Sequence, residues 1–293
     1  DLPVGASVAD RYTLSWEQKA VLEQADRFAR ERLHPLQARM DDEEWWPDGL
    51  MAECAEYGFL GLTAPARYGG ADMDIFSAML VGQAFAKWNP AFALSWGAHE
   101  NLCLNNILRN GTEAQLEQWL PGLCSGERVG ALGLTEPGAG SDALEGMRTT
   151  ARRDGDEWVL DGRKLYITNG PIADVLLIYA KTDPAAGAQG ISAFIVERDS
   201  PGFAVAQKLT KMGFRGSPTA ELVFDGCRVP AENLLHVENE GVAVVMSGLD
   251  LERALVAPLC VGMAERALEL SIDYARERKQ FGRPIASFQM IQA

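Results

Sequence analysis

The sequence lacks the cysteine and histidine patterns that hold metals or staple small secreted domains. Its five cysteines are scattered without a CxxC pair, and its three histidines lie far apart along the chain. These spacings argue against a zinc ribbon and against a disulfide framework. Unpaired thiols are typical of a reducing compartment, and we expect no metal site.

Positive charge and long apolar runs are also scarce. The chain has 27 basic and 41 acidic residues, which gives a formal net charge of -14. A surface of this sign repels nucleic acid and anionic lipid. No apolar run approaches the roughly 18 residues of a membrane span, and the segment from Asp1 to Asp10 has no signal-peptide core. We expect a soluble, intracellular protein with neither nucleic-acid nor membrane partners.

Residues 15–130 are predicted to be helical, because apolar residues recur there every three or four positions. The first helix opens after Ser15, and His34-Pro35 is expected to end or kink it. Thr112, with Gln115 three residues later, resembles a capping box. Further helices are predicted at Leu50 to Tyr57, Ile75 to Lys87, Trp96 to Leu108 and Glu113 to Leu120.

From Ala131 to Pro230 the pattern changes to alternation or to short apolar runs, which predicts strands. Two such runs flank Asp161-Gly162, which indicates a hairpin there. Short strands without intervening helices favour a sandwich or a barrel. The strands are predicted at Glu157 to Leu160, Lys164 to Thr168, Val175 to Lys181, Ile191 to Glu197, Phe203 to Leu209 and Ala220 to Phe224.

From residue 241 the pattern is helical again, with one helix from Val242 to Arg278 and the start of another at Ser287 to Ala293. This order predicts an α+β multidomain protein. We expect an N-terminal α-helical domain at 1–130, a central β-barrel domain at 131–240 and the start of a C-terminal helical bundle at 241–293. One long helix and a fragment cannot bury their apolar faces alone, so we expect the chain to be truncated or packed by partners.

Two segments of the strand region have the features of binding loops. Leu132 to Asp142 runs from a strand into a loop whose glycines allow close backbone approach, and the hydroxyls of Thr135 and Ser141 can bond a ligand. Tyr166 and Thr168, two residues apart, place an aromatic ring and a hydroxyl on one face. Taken alone, the first segment is better explained as an ordinary turn and the second as an ordinary hairpin strand.

Glu252 is the candidate general base. A carboxylate within an apolar stripe is desolvated, which tends to raise its pKa towards a value useful for proton abstraction. The neighbouring Arg253 acts in the opposite direction, and Asp250 with Arg253 can equally form a structural ion pair. On a helix, Glu252 shares its face with Leu249, Leu255, Val256, Leu259 and Met263.

The basic segment from Arg276 to Gly282 follows the end of the same helix. Its charge complements the helix dipole, which is sufficient reason for its presence. In a chain this acidic, it is also the local cluster that a phosphorylated ligand would need.

In order along the chain, these segments resemble the acyl-CoA dehydrogenase family over nearly the whole sequence. Thr135 to Asp142 is similar to its flavin-loop motif, and Tyr166 to Gly170 to its Trp-Ile-Thr-Asn-Gly segment. Arg278 to Gly282 is similar to its Arg-Lys-x-Phe-Gly segment. The isovaleryl-CoA branch is the most similar through Gly97 to His99, Asn101 to Cys103, Gly213 to Ser217 and above all Met246 to Arg253. That branch carries its base on the helix that here holds Glu252.

The resemblance implies FAD as cofactor and an acyl-CoA as substrate, with electrons passed to an electron-transfer flavoprotein by a homotetramer. The implied reaction is α,β-dehydrogenation of a short branched acyl-CoA, with isovaleryl-CoA to 3-methylcrotonyl-CoA as the first choice. Ala243 and Val256 are smaller than the tyrosine and leucine of that branch, which indicates a roomier acyl pocket. A non-catalytic flavin- or acyl-CoA-binding subunit and a flavin oxidase remain open alternatives.

The resemblance also assigns ligand contacts to residues. Arg278 and Gln289 would reach the FAD of a neighbouring subunit, and Asp250 and Arg253 would touch the pantetheine arm. The excess of arginine over lysine favours a bacterial cytoplasm rather than a mitochondrial matrix. The implied FAD contacts are Leu132, Leu134, Thr135, Gly140, Ser141, Tyr166, Ile167, Thr168, Arg278, Gln280, Phe281 and Gln289. The implied substrate contacts are Ser141, Leu249, Asp250, Arg253 and Val256.

Overall fold

The computed structural model describes residues 14–293, so the expectation for Asp1 to Asp10 lies outside the described residues. A helical layer precedes a β-sheet and a long helix follows it, which confirms the predicted α+β order. The helices of the first layer are α1 (Trp16–Phe28), α2 (His34–Asp42), α3 (Leu50–Glu56), α4 (Ile75–Trp88), α5 (Pro90–Gly97), α6 (Asn105–Asn110) and α7 (Glu113–Cys124).

Two of these helices begin with the reciprocal hydrogen bonds of a capping box. The Ser15 hydroxyl accepts the Gln18 N–H, and the Gln18 side chain accepts the Ser15 N–H in return. Thr112 and Gln115 repeat the arrangement at the start of α7, as predicted. Each box satisfies N–H groups that a helix terminus otherwise leaves unpaired.

π-Helical segments at Ala29–Leu33 and Ala98–Leu104 join α1 to α2 and α5 to α6. The first lies directly before Pro35, whose ring cannot donate a hydrogen bond and crowds the carbonyl four residues earlier. The His34 N–H there bonds to the Ala29 carbonyl, five residues back. The predicted break at His34-Pro35 therefore takes the form of a wider turn, and the chain stays helical.

The sheet has the strand order β6-β7-β3-β2-β4-β5-β8, with β1 parallel to β4. Within residues 14–293 the end strands β6 and β8 do not pair, so the sheet is not closed and the predicted barrel is wrong. With only two residues, β8 is too short to carry a ladder onward from β5. The strands are β1 (Gly130–Gly133), β2 (Thr150–Asp154), β3 (Glu157–Thr168), β4 (Val175–Lys181), β5 (Ile191–Glu197), β6 (Phe203–Lys208), β7 (Thr219–Pro230) and β8 (Leu234–Leu235).

The hairpin turn predicted at Asp161-Gly162 lies elsewhere. Strand β3 runs unbroken through this dipeptide, and the tight turn is at Gly155-Asp156, between the paired residues Asp154 and Glu157. Gly162 instead lies at a β-bulge with φ of 151°, where a Cβ would come within 2.4 Å of Thr149 Oγ1. Position 162 requires glycine because the backbone there packs closely against Thr149. From the sequence alone, a glycine needed for close packing looks the same as a glycine needed for a turn.

The two faces of the sheet contribute to different buried clusters. Alternate residues of β4, such as Leu177 and Tyr179, pack towards the helices, while Leu176 and Ile178 pack towards β3 and β7. The sheet therefore curls over its own core without closing. A third cluster lies among α1, α3, α4 and α5.

The long helix α8 (Gly241–Glu277) connects the helical layer with the sheet. Its first turns pack through Val244 and Val245 against the cluster between the sheet and the helices, which is called the sheet cluster below. Leu255 belongs to the third cluster, which is called the helical cluster. Strands β9 (Lys279–Gln280) and β10 (Arg283–Pro284) follow, and the predicted final helix is the short α9 (Gln289–Gln292). No helix among residues 14–293 is long and apolar enough to cross a membrane.

Candidate active site

The loop after β1 is held by one buried carboxylate. Glu136 accepts the backbone N–H groups of Arg148 and Thr149 at 2.7 and 3.0 Å and the Lys164 ammonium at 2.8 Å. Its backbone pairs in both directions with Ala139 across a tight turn. The beginning and the end of the loop are therefore fixed to strand β3 at a single point.

Lys164 and Glu136 form the most buried ion pair of the site, with side chains that are 0% and 6% exposed. Burial lowers the pKa of Lys164 to about 8, although the Glu136 carboxylate opposes this shift. Burial acts to raise the pKa of Glu136, but the Lys164 charge and the donated hydrogen bonds outweigh it, so this pKa is lowered. Both groups are therefore ionised at neutral pH.

The open side of this loop suits a large flat ligand. Nothing lies within 4 Å of the position that a Cβ would take at Gly138 or Gly140, and Ser141 is exposed. Leu132 and Leu134 are half-buried and border the sheet cluster, while Thr135 fixes the loop by accepting the Leu165 N–H. Backbone groups and hydroxyls thus remain accessible, which fits the FAD that the family resemblance implies.

Tyr166 lies beside this loop at a second bulge of β3. Its φ is 63°, a left-handed conformation that is uncommon for a bulky residue, and its side chain is 67% exposed. Ile167 is buried in the sheet core, whereas Thr168 is half-buried. The exposed Tyr166 ring can cover a flat ligand, and Ile167 can contribute only its backbone.

Buried polar contacts join the base of the loop to the helical layer. Asn169 donates to the carbonyls of Ser95 and Gly130 at 2.8 and 3.1 Å. His99 accepts the Gly130 N–H at Nδ1 and donates from Nε2 to the Leu123 carbonyl. Strand β1, which leads into the loop, is thereby set against α7 and the π-helical segment Ala98–Leu104.

His99 and Glu100 are adjacent and fully buried, and burial shifts their pKa values in opposite directions. Burial lowers the pKa of His99 to about 4, despite its hydrogen bond to Leu123. Burial raises the pKa of Glu100 to about 7, although the N–H groups of Gly61 and Leu62 donate to its carboxylate at 2.8 and 2.6 Å. Through these hydrogen bonds, Glu100 fixes the backbone at Gly61 and Leu62, and His99 fixes it at Gly130 and Leu123.

Glu252 lies on α8 where the helix passes from the sheet cluster to the helical cluster. Leu249 packs against the former, and Leu255 is buried in the latter. Burial raises the pKa of Glu252, and Arg253 opposes the shift. Leu259 and Met263 also pack inward as predicted, whereas Val256 is 46% exposed. The carboxylate is therefore desolvated within an apolar stripe, as a general base requires.

The region of α8 that carries Glu252 is fixed against α6. Arg109 donates to the Ser247 carbonyl at 2.8 Å. Gly248 packs so closely on Asn106 that a Cβ would come within 2.4 Å of the amide oxygen. Since Gly248 precedes Glu252 by one helical turn, this contact holds the backbone next to the base.

The other proposed substrate contacts lie at the surface of α8. Asp250 and Arg253 form an exposed ion pair at 3.2 Å, the structural alternative that the sequence left open. Ala243 is also exposed, as Val256 is. The roomier acyl pocket that these two side chains suggested therefore stays a prediction.

The basic segment lies far from Glu252. Arg278 directly follows α8, and its separation of 26 positions from Glu252 corresponds to about 39 Å of helix at roughly 1.5 Å per residue. Gln280, Phe281 and Gln289 are exposed there, Phe281 to 92%. These residues therefore lie at the opposite end of α8 from Glu252.

Sequence reasoning missed the residues that hold the site in place. Lys164 stands in an alternating strand and gives no sign that its charge is buried, and Glu136 was noticed only as part of a motif. Asn106, His99 and Asn169 likewise act through contacts with distant residues. No spacing rule identifies such partners, and Glu136 and Lys164 are 28 positions apart in the sequence.

Family models for three domains match the chain in order. The N-terminal domain of acyl-CoA dehydrogenases matches residues 15–127, the middle domain residues 131–227, and the C-terminal domain residues 239–293.

Individual relatives agree with these matches. The mitochondrial isovaleryl-CoA dehydrogenase of Arabidopsis thaliana is 45% identical over 272 residues, which cover 92% of this chain and 66% of that protein. The mitochondrial 2-methylacyl-CoA dehydrogenase of Solanum tuberosum is 44% identical, with coverages of 94% and 67%. A glutaryl-CoA dehydrogenase from Mycobacterium smegmatis, solved with FADH2, has a TM-score of 0.90 at 34% identity, with coverages of 97% and 72%. The chain spans about two thirds of the length of these curated relatives.

Proposed function

The chain belongs to the acyl-CoA dehydrogenase family, whose members are FAD-dependent oxidoreductases acting on CH–CH groups, and from this premise we propose that it dehydrogenates a short branched acyl-CoA between its α and β carbons. Isovaleryl-CoA, giving 3-methylcrotonyl-CoA, is the proposed substrate. Relatives named for isovaleryl-CoA and for 2-methylacyl-CoA support a branched acyl group of this size.

The position of Glu252 carries the proposal. Leu249, one turn before it, packs against the same buried cluster as Leu132 and Leu134, which lead into the open loop. The desolvated carboxylate and the flavin-loop motif therefore belong to one region of the fold, although 110 or more residues separate them in the sequence. This juxtaposition is what a base acting on a flavin-bound substrate requires.

We propose that Glu252 accepts the α-proton of the thioester through its carboxylate. Its raised pKa favours proton transfer from carbon, because the ion is poorly solvated before the reaction. FAD, when bound, supplies the acceptor for the β-hydrogen and its two electrons. Hydrogen bonds to the thioester carbonyl are needed to make the α-proton acidic enough.

The other roles follow the same proposal. The loop from Leu132 to Ser141 lines the FAD, the Tyr166 ring covers it, and Thr168 bonds its edge. Ser141, Leu249, Asp250, Arg253 and Val256 contact the acyl-CoA. Arg278 and Gln289 bind the FAD of a neighbouring subunit, and Gln280 and Phe281 also contact FAD. The length of α8 between Glu252 and Arg278 supports the assignment to a neighbouring subunit.

This assignment requires a neighbouring subunit and an electron acceptor, which we propose to be those of a homotetramer and an electron-transfer flavoprotein. We further propose a bacterial cytoplasm as its compartment, based on the excess of arginine over lysine. The division into domains at 1–130, 131–240 and 241–293 is part of the same proposal.

The test is to load the purified protein with FAD and mix it anaerobically with isovaleryl-CoA while recording the flavin absorption band. We expect isovaleryl-CoA to bleach the flavin band on mixing. Butyryl-CoA and glutaryl-CoA serve as unbranched comparison substrates. Absence of bleaching with every acyl-CoA contradicts an enzyme and favours a non-catalytic binding subunit. Rapid return of the band in air identifies a flavin oxidase.

A further inference from the structure

Asn106 of α6 is a buried residue, 1% exposed, whose amide group is only half satisfied. Its Nδ2 donates to the carbonyl of Leu102, in the π-helical segment that precedes α6, at 2.8 Å. Among residues 14–293, Asn106 Oδ1 has no hydrogen-bond partner. A buried amide oxygen without a partner retains the cost of leaving water, so its presence in a folded protein calls for an explanation.

The unpaired oxygen lies against the backbone of α8 at Gly248. A Cβ at Gly248 would come within 2.4 Å of Asn106 Oδ1, 2.6 Å of its Nδ2 and 2.9 Å of its Cγ, so the whole amide group faces the glycine. The glycine hydrogen in this direction can make only a weak Cα–H···O contact. One turn along α6, Arg109 donates to the Ser247 carbonyl at 2.8 Å. Helix α6 therefore holds α8 at two consecutive residues.

Glu252 follows this contact by four residues of the same helix. At about 100° per residue, it lies about 40° around the helix axis from Gly248. Leu255, buried in the helical cluster, is on the same side as Gly248, whereas Val256 is 46% exposed on the outer side of Glu252. Glu252 thus stands at the border between the packed face and the open face of α8. A shift of α8 away from α6 would move its carboxylate by a similar distance.

We propose that Asn106 is a positioning residue for Glu252: its amide, fixed to Leu102, sets the spacing between α6 and α8 at Gly248 and thereby how far the base reaches towards its substrate. A side chain at position 248 would have to displace the amide or the helix by about 1 Å to reach an ordinary contact distance. A misplacement of about 1 Å can slow a reaction about 10²-fold, because the reacting atoms no longer meet. The role in catalysis rests on the proposed function, whereas the spacing does not.

A double-mutant cycle on stability tests the contact without any turnover. Urea unfolding midpoints are measured for the wild type, Gly248→Ala, Asn106→Ala and the double variant. Alanine favours a helix more than glycine does, so Gly248→Ala lowers the midpoint only if its methyl group meets a fixed neighbour. We expect Gly248→Ala to lower the midpoint beside Asn106. Beside Asn106→Ala, where the methyl group occupies the space of the amide, it should leave the midpoint unchanged or raise it.

Gly122→Ala is the matched control, because Gly122 also lies within a helix, α7. The nearest atoms that a Cβ would meet there belong to the Arg128 side chain, at 3.1 Å, and this side chain is 40% exposed and can move aside. The effect of Gly122→Ala on the midpoint must be the same with Asn106 and with Ala at that position. The proposal is overturned if Gly248→Ala does not lower the midpoint beside Asn106, or if it lowers the midpoint equally beside Asn106→Ala.

Flavin bleaching by isovaleryl-CoA tests the positioning role. In Gly248→Ala, we expect the maximal rate to fall by about 10²-fold, while the isovaleryl-CoA concentration that gives half of this rate stays near the wild-type value. Adding Asn106→Ala should recover most of the lost rate, and Gly122→Ala must bleach at the wild-type rate.

Two results contradict the positioning role. One is an unchanged maximal rate in Gly248→Ala with a raised half-saturating concentration, which indicates weaker binding alone. The other is a double variant that stays as slow as Gly248→Ala. If the wild type does not bleach, the proposed function fails, and the unfolding cycle still decides whether Asn106 sets the spacing of the two helices.

Discussion

The Lys164 ammonium lies 2.8 Å from Glu136 Oε1, and both side chains are almost completely shielded from solvent. Through the N–H groups of Arg148 and Thr149, the same carboxylate closes the loop that we assign to FAD. Strand β3 therefore supports the loop from beneath with Lys164 and borders it with the exposed ring of Tyr166. One bulged strand supplies both the anchor and the covering aromatic ring.

Replacing Lys164 with methionine leaves Glu136 buried without its counter-charge. We expect a loss of about 3–5 kcal/mol in the free energy of unfolding, measured with urea, and weaker FAD retention because the loop is released. Adding Glu136→Gln should recover part of the loss. Arg30→Met, which breaks the exposed pair with Glu31, should cost less than about 1 kcal/mol. If Lys164→Met and Arg30→Met lower the free energy of unfolding by similar amounts, this account is contradicted.

Stability is expected to depend on pH through His99 and Glu100 in opposite directions. His99 has a pKa lowered to about 4 in the folded protein, so its contribution is complete above the unfolded pKa of about 6.5 and is lost as pH falls towards 4. Glu100 has a pKa raised to about 7, so its contribution is complete below the unfolded pKa of about 4.5 and is lost as pH rises through 7. Between these limits the two effects offset each other.

Each single variant should show the pH-dependent contribution that the other residue makes to stability. In Glu100→Gln, we expect the free energy of unfolding to fall by about 3 kcal/mol between pH 7 and pH 4, because the His99 loss is no longer offset. In His99→Gln, we expect a loss in the opposite direction, as pH rises from about 4.5 to 7. Urea unfolding over a pH series measures both. If the free energy of unfolding changes with pH in the same direction in both variants, the two residues do not have opposite effects.

Glu252→Gln should slow flavin bleaching by isovaleryl-CoA by about 10²–10⁴-fold, because it removes the proton acceptor and keeps the shape. Glu265→Gln is the control, since Glu265 lies on the same helix, has a pKa raised by burial and accepts a hydrogen bond from Gln83 at 2.9 Å. The control should bleach at the wild-type rate. Equal rates in Glu252→Gln and the wild type would refute the assignment of the base.

Arg253 sets part of the pH dependence of the reaction. Because its charge lowers the pKa of Glu252, Arg253→Gln should raise that pKa. The base must be ionised, so the bleaching rate rises with pH, and its midpoint should move to higher pH in the variant. The side chain is largely exposed, so we expect a shift of less than about one unit. A shift towards lower pH contradicts the electrostatic explanation.

Much of the fold could be predicted where neighbours in sequence decide the structure. The capping box of Thr112 and Gln115, the strands Val175–Lys181 and Ile191–Glu197 and the long helix α8 agree with the predictions. The hairpin was misplaced because Asp161-Gly162 has the local signature of a turn, while its glycine serves a contact with Thr149. The barrel failed because closure depends on pairing between distant strands.

The sequence by itself determined the order of helical and strand-rich parts, the flavin-loop motif and the apolar face around Glu252, because these follow from local periodicity and motif. Only the tertiary structure decided that Lys164 is buried against Glu136, that Gly248 packs on Asn106 one turn before Glu252 and that Val256 faces outward. These facts depend on how sheet, loop and helix meet, because burial and pKa are set by whichever groups the fold brings near, however far apart they stand in the chain.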